Sequence, residues 1–591
     1  RGSPRRGFFA IAASGTLALL AGHPESLTAF CIGLGVYLIL RVVGSGQGFS
    51  WCVRALSLFG LAWAMACLVA AAQVIPFLEY LTHAAKSIND TNVGPKPGFD
   101  WPSVACLWIP RFFGTSADYN YWGNLDSNRS CMIYAGLPVW IAAAIAFSGH
   151  RNKKKDYPEQ PNRIAEWFGN TRGMEICLAI AGSIALLLAF EVWPLSFIDN
   201  IFPLNLMKRT YHITFAMFAL PVLAARGLDR WSPAENRVRQ LIPAFALMIV
   251  VSLILVFLYE FHEPLIRTMR FESFLSRQFV IAVGIGLACL GTLIFASIMR
   301  RTAFVVPIFA VILAADLLIA GKGINPTIPR AWLYPDTALT KFLQAQSQPC
   351  RVGLSEGYVP PGLMTPYGIE DLLGYDALYP ARLDRFQRSL GTKIWNSMEP
   401  VYGIRYYLNH PEAAPLFSIE DTSRFRRVGQ YDGLEVYENL GALPRAFLVG
   451  AARVVPKWED MLRIMKEPAF KPGDTVLLEE PLEGSLPDAS QSSVGSAQIT
   501  RRTGGRVSIR ATAERPCVLV LSDLYYPGWR ATVDGEDTQI FAAYHAFRGL
   551  FLEAGEHGIE FRYRPWSFFG GLIVSLAAMA ATFGVGRLLR G

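Results

Sequence analysis

Charge is what this chain has least of. Only 17% of its 591 residues are Asp, Glu, Lys or Arg, against 52% hydrophobic, and mean hydropathy is positive. An ordinary soluble enzyme is excluded by that balance. Missing as well are a Walker P-loop, a GxSxG elbow, an HExxH helix and any other metal-ligand cluster. An ATP-driven pump, a serine hydrolase or a zinc protease would each need one of these. The nine cysteines contain no CxxC and no metal-ligand spacing. Cys31, Cys67, Cys177 and Cys289 fall in apolar runs and read as small buried hydrophobes. Cys106 and Cys131 share one loop, where a disulfide stays open. No initiator Met and no secretory signal precede Arg5-Arg6, so we expect the sequence to start partway through a longer protein.

What the chain has in abundance is apolar runs of spanning length. They recur at 7–22, 27–41, 55–78, 132–149, 174–194, 211–226, 238–260, 278–298, 303–320 and 567–588. The formal net charge of +8 gathers largely in the short loops between them. The clusters are Arg5/Arg6, Arg41/Arg54, Arg151-Lys153-Lys154-Lys155, Arg226/Arg230/Arg237/Arg239, Arg300/Arg301 and Arg587/Arg590. If the ten runs alternate, every cluster falls on one side. That is the orientation signal of a multi-pass membrane protein, not a nucleic-acid footprint. Both termini are then cytoplasmic. The turn at 22–26, the loops 79–131, 195–210 and 261–277, and the stretch from about 321 to 566 lie outside.

We therefore expect a polytopic α-helical membrane protein with an extracytoplasmic domain. Residues 1–320 would form a nine-helix membrane domain and 321–470 an α/β region. Residues 471–566 would form a β-sandwich, and 567–591 a last membrane helix. Helical periods appear at 337–344 and 458–465, and strand patterns at 403–408, 434–437 and 446–449. Further strands are expected at 506–512, 517–521, 530–533 and 558–563, with Asp534-Gly535 marking a tight turn.

The polar residues left on the outer face are His23, Glu25, Glu79, His83, Asp118, Asp126, Glu191, Asp199, Lys208, Arg209 and His212. Gly22-His23-Pro24-Glu25-Ser26 is a turn that carries His and Glu to the membrane surface, an arrangement that needs a partner or a task. Its plain alternative is a Pro-started helix whose Glu snorkels into headgroups. Glu79 follows Pro76 at a helix end, and there too snorkelling is the simpler reading. Lys208-Arg209 stand outside, against the positive-inside bias, which suggests an anionic partner such as a lipid phosphate; pairing with Asp199 is the alternative. Loop 79–131 carries Trp101, Trp108, Tyr119, Tyr121 and Trp122, either an interfacial belt or a small folded element over a cavity. Carboxylates and guanidinium groups beneath an aromatic loop suit a reaction on a lipid-linked phosphate, the carboxylate acting as base or metal ligand.

Several motifs together resemble the YfhO family of bacterial membrane proteins. They are Gly22-His23-Pro24-Glu25, Pro76-Phe77-Leu78-Glu79, Asn325-Pro326, Tyr367-Gly368-Ile369, Gly374-Tyr375-Asp376, Tyr437-Glu438-Asn439 and Leu443-Pro444-Arg445. The most specific group is Tyr526-Pro527-Gly528-Trp529-Arg530-Ala531, Val533-Asp534-Gly535, Phe547-Arg548 and Ala554-Gly555-Glu556-His557, in that order. The resemblance implies a GT-C-like glycosyltransferase that takes a sugar from a polyprenyl-phosphate carrier and passes it to a cell-envelope acceptor on the outer face. It also implies an acidic base in the first outer loop, which would lie upstream of residue 1 here. Among residues present, Glu25, Glu79 and His23 are the candidate catalytic groups. Arg209, Lys208, His212, Asp118, Tyr121 and Trp122 are the candidate substrate contacts. No residue is assigned to a metal, although a divalent cation such as Mg or Mn is compatible with the chemistry. Two other readings stand beside it: a transporter or flippase of lipid-linked saccharides, and a non-catalytic envelope assembly protein. Within the β-sandwich, Trp529 and Tyr526 are read as core or as a sugar-stacking platform, with core the simpler choice for Trp529.

Overall fold

Apolar runs shed the cost of an unpaired backbone by coiling into helices, and all ten runs do so in the computed structural model. The structure describes residues 4–45, 47–85, 98–115, 120–123, 133–148, 171–192, 207–231, 237–324, 327–346, 350–354, 360–371, 378–390, 398–412, 423–482, 484, 486 and 494–588. Two compact units are present: Arg1–Leu68 with Thr91–Thr327, and Val69–Asp90 with Ile328–Gly591.

The first unit is helical: α1 (Pro4–Leu20), α2 (Pro24–Val43), α3 (Phe49–Val69), then, beyond the second unit's α4 (Ala71–His83), α5 (Leu137–Ile145), α6 (Thr171–Ala189), α7 (Ile213–Arg230), α8 (Arg237–Thr268), α9 (Glu272–Met299) and α10 (Val305–Gly321). Five helical segments are long and apolar enough to cross a membrane: Pro24–Val43, Phe49–Val69, Arg209–Arg230, Arg239–Thr268 and Glu272–Met299. The apolar stretches Arg6–Leu20, Gly173–Ala189, Val305–Gly321 and Trp566–Thr582 are shorter.

The run at 132–149 departs from expectation. It contains a helix of only nine residues, α5, about 13 Å at 1.5 Å per residue and under half a bilayer core. Seven of the nine are buried, including Leu137, Ile141 and Ile145. They are apolar because protein surrounds them. A Cβ on Gly227 of α7 would lie 1.8 Å from the Ala142 carbonyl oxygen, so the two helices meet at a contact only glycine allows. Asp316 on α10 is spent locally: its carboxylate accepts from the Leu137 backbone N–H at 2.9 Å and the Tyr134 hydroxyl at 2.8 Å, closing the start of α5. Likewise Glu175 of α6, buried, pairs with Arg226 at 3.2 Å and with Arg230 on α7. Two of the basic residues read as loop charges therefore also lock a helix pair.

The 55–78 run divides. Its end belongs to α4, which folds with the second unit against α11 (Trp566–Leu588). Ala72 N–H donates to Ser575 Oγ at 3.0 Å, and a Cβ on Gly571 would press within 2.5 Å of the Ala71 oxygen. At its other end Tyr80 Oη donates to the Leu378 carbonyl at 2.6 Å, and Ala85 N–H to the Tyr379 carbonyl at 2.7 Å. The expected 1–320 grouping thus differs from the compact units at residues 69–90.

Three sheets make the rest of this second unit. A mixed sheet has order β2-β1-β3-β5-β4, from β1 (Arg351–Leu354), β2 (Glu370–Asp371), β3 (Ile404–Asn409), β4 (Phe425–Tyr431) and β5 (Leu434–Asn439). Leu339 and Leu343 of the helix Ala338–Gln344 pack on its Val352, Tyr406 and Val436. A six-stranded sheet has order β6-β11-β15-β14-β8-β7 and a five-stranded one β13-β12-β16-β10-β9. Their strands are β6 (Ala446–Val449), β7 (Ala452–Val454), β8 (Val476–Leu478), β9 (Gly495–Thr503), β10 (Arg506–Ala513), β11 (Cys517–Leu524), β12 (Trp529–Val533), β13 (Glu536–Thr538), β14 (Phe541–Ala543), β15 (Phe547–Leu552) and β16 (Gly555–Tyr563). The last two sheets form the sandwich. Leu519 and Leu521 face Ile509, Ala531 and Phe561 between the sheets. Val518 and Val520, on the other side of β11, pack on Met461 and Leu462 of the helix Trp458–Met465. Buried on both faces, β11 reads as a continuous apolar run instead of an alternation. The six-stranded sheet draws β6 and β7 from the region expected to be α/β, so the sandwich begins earlier in the chain than its turn signals indicate.

The Asp534-Gly535 turn joins β12 to β13 with φ of 53° and 91°, the left-handed pair a two-residue hairpin requires. Asp534 Oδ1 accepts from Gly558 N–H at 2.7 Å, and Oδ2 lies 2.7 Å from His557 Nδ1. Two of the motifs quoted above therefore touch.

Candidate functional site

The turn between α1 and α2 is built by its own residues. Gly22 takes φ of 75°. Pro24 opens α2, where its missing N–H costs no helical bond. His23 Nδ1 accepts from Ser26 N–H at 3.2 Å and caps the helix. In the neutral ring that leaves the proton on Nε2, pointing away from the cap. Glu25 sits half-buried in the first turn, at the positive end of the helix. The sequence's plain reading, a Pro-started helix end, is thus correct for the backbone.

Against this turn lies the segment 207–212. Met207 and Tyr211 pack on Ala29 and Ile32 of α2, and the Tyr211 ring stands 4.9 Å from the His23 ring. Arg209 is only 8% exposed, and its Nη1 lies 3.2 Å from Glu191 Oε2, just past the end of α6. Glu191 takes φ of 55° to do this and also accepts the Gly98 backbone N–H. His212 is buried at the entrance to α7, while Lys208 is exposed. Among the described residues Glu191 is an observed partner of Arg209; Asp199, the alternative offered by the sequence, lies outside them. A buried guanidinium at the positive end of an 18-residue helix makes a place where a phosphate oxygen would be favoured.

The aromatic loop is part of the first unit's core. Trp108, Phe112 and Phe113 are buried, and Trp101–Leu107 forms a 3₁₀ turn over them. The Trp122 ring lies 4.6 Å from Phe113 and 5.5 Å from His262, and Tyr121 packs on the same cluster. Both rings are therefore packed into this cluster. Asp118, Tyr119, Asp126, Arg129 and Cys131, and with Cys131 the disulfide alternative, lie outside the described residues, as do Asn325-Pro326 and Gly374-Tyr375-Asp376.

Glu79 belongs to the second unit, near the end of α4. It lines a cleft there with Tyr80 and Tyr526. Tyr526 lies 5.5 Å from His83, ring to ring; burial first and the Glu79 carboxylate second push its hydroxyl up to about 12. Trp529 is half-buried, between the sandwich core and the Arg548 guanidinium. Sequence reading missed the arginines gathered at this cleft, because they come from separate strands with no spacing in common. Among the described residues no three His, Cys, Asp or Glu side chains converge into a ligand set for Mg or Mn.

Comparison with known families supports the resemblance in the sandwich. Residues 486–575 match the family model described as bacterial membrane protein YfhO. The matched span holds the Trp529 corner, the Asp534-Gly535 turn, Arg548 and the start of α11. No curated protein and no solved structure matches the chain.

Proposed function

We propose that this membrane protein is a GT-C-like glycosyltransferase that moves a sugar from a polyprenyl-phosphate carrier to a cell-envelope acceptor on the outer face of the membrane. The observation that carries the reading is the His23–Tyr211 contact, which brings the 22–26 turn against the segment holding Arg209 and His212. A carboxylate, Glu25, and a buried cation, Arg209, each stand two residues along the chain from that contact, within one unit.

In this reading the acceptor hydroxyl oxygen bonds to the anomeric carbon as the bond from that carbon to the phosphate oxygen breaks. The acceptor proton passes to a carboxylate, Glu25 among the residues present, and the electron pair leaves on the phosphate. Arg209, held by Glu191 and reinforced by the N-terminal end of α7, would stabilise the charge that grows on the leaving phosphate. Inversion at the anomeric carbon follows from a single displacement. The outward placement of this face rests on loop charge.

The test is the sugar content of the envelope in a strain lacking the protein, complemented with wild type or with Arg209→Ala. Loss of one glycan decoration, restored by wild type and not by the variant, is expected. Unchanged decoration in the deletion strain would sink the reading.

A further inference from the structure

Four arginines distant in sequence converge on two carboxylates in the second unit. Arg445 pairs with both Asp523 and Glu370. Arg351 lies 3.6 Å from Glu370 and 3.8 Å from Asp523, and Arg548 lies 3.4 Å from Asp523. Arg502 reaches the other oxygen of Glu370. A cleft of about 500 Å³ opens on this cluster, lined by Arg445, Arg502, Arg548 and Asp523, with Glu79 of α4 and Ser567 of α11 at its other wall.

Two features show that the cluster is short of negative charge. Arg548 is 3% exposed, yet its Nε and Nη1 have no hydrogen-bond partner among the described residues. A buried guanidinium left short of acceptors is costly. With Glu79 counted, four guanidiniums face three carboxylates, an excess of one positive charge. Burial, with the like charges of Arg445 and Arg502, presses the pKa values of Arg351 and Arg548 downward. A bound oxyanion of charge −1 would relieve that pressure.

The cleft's wall says where such an anion comes from. Ser567 is in the first turn of α11, whose Trp566, Phe568, Phe569 and Ile573 are exposed apolar side chains. Trp at the mouth of an apolar helix belongs at the headgroup level of a bilayer. An acyl chain could run along α11 while its headgroup enters the cleft.

We propose that this cleft binds the phosphodiester headgroup of a membrane lipid, with Arg502 and Arg548 as its guanidinium contacts. Such binding holds the sandwich at the membrane surface and does not depend on the transfer reaction.

The test uses the full chain in dodecyl maltoside, titrated with dihexanoyl-phosphatidylglycerol below its micelle concentration and read by thermal unfolding. Dihexanoylglycerol and inorganic phosphate are titrated separately. Phosphatidylglycerol should raise the unfolding temperature, and the two other probes should not at equal concentration. Arg502→Gln should weaken that response about tenfold or more. Arg502 is 37% exposed and Glu370 keeps two other arginines, so the lipid-free variant should melt like wild type. Arg501→Gln, an exposed neighbour on the same strand, should respond as wild type. An undiminished response in both Arg502→Gln and Arg548→Gln overturns the proposal, as does an equal response to dihexanoylglycerol. An equal response to inorganic phosphate overturns the lipid and assigns the cleft to free phosphate.

Discussion

The guanidinium carbon of Arg548 lies 3.9 Å from the centre of the Trp529 ring, and the same group is 5.3 Å from the Phe561 ring. Trp529 comes from the proline-glycine-tryptophan corner at the start of β12 and Arg548 from β15, so the contact ties the two sandwich sheets together. Trp529→Ala should therefore destabilise the chain by about 2–3 kcal/mol, from lost packing and a lost cation–π contact. Trp529→Phe should recover about half of that. Thermal unfolding in detergent reads both; an alanine variant that melts like wild type would show that the contact does not stabilise the fold.

Arg209 and Glu191 make a second prediction. Arg209→Ala should lower sugar transfer about 100-fold or more, the usual scale for removing a transition-state charge partner. Arg209→Lys should fall between, since a point charge replaces a fork. Glu191→Gln should act more weakly, because it loosens the guanidinium without removing it. Radiolabelled sugar transfer from a polyprenyl-phosphate donor is the readout.

His23 separates capping from chemistry. His23→Ala should cost about 0.5–1 kcal/mol of stability, a lost helix cap. His23→Asn restores the cap but not the ring beside Tyr211. If transfer returns with Asn, the residue only builds the turn. Transfer that stays low while stability returns gives the ring a part in the site.

The pH dependence of the second unit's stability should be steep on the acid side. Burial tends to raise Glu479, but hydrogen bonds from His545 at 2.8 Å and Arg382 at 2.7 and 3.0 Å outweigh it and hold its carboxyl at about 2. A carboxyl lower in the folded state than its usual value near 4.3 stabilises fully above that value. It loses that contribution as pH falls toward 2, about 1–2 kcal/mol after screening. Glu479→Gln should be less stable at neutral pH and show a shallower loss between pH 5 and 2. Equal slopes for the two proteins would refute the assignment.

Gly227→Ala tests the helical unit. Its new methyl would sit on the Ala142 carbonyl, so either α5 or α7 must move. A loss of about 3 kcal/mol or failure to accumulate in membranes is expected. A stable variant would show that the two helices have room to separate.

Much of the fold was legible because local chemistry decided it. Asp534-Gly535 announced its hairpin since few residues accept two positive φ values in a row. The helix Trp458–Met465 and the strands around Val436, Val507 and Ile559 followed their own periodicity. The candidate site was legible only in part. His23 and Arg209 were singled out as outer polar residues, but neither the His23–Tyr211 contact nor the Glu191 partner leaves any mark in spacing. For Trp122, Trp108 and their neighbours, a loop of aromatics reads the same whether it rests on lipid or fills a core.

By itself the sequence determined that this is a membrane protein, because runs of apolar residues leave the backbone no partner but itself and so make helices. It also determined the β-sandwich, through alternation and turn residues. Only the tertiary structure decided that the 132–149 run holds a nine-residue, largely buried helix, Leu137–Ile145, since lipid and protein interior are equally apolar. It alone placed α4 with α11, through a glycine contact and one serine hydrogen bond. And it alone gathered Arg351, Arg445, Arg502 and Arg548 around Asp523 and Glu370, because sheet order brings together residues that the chain keeps far apart.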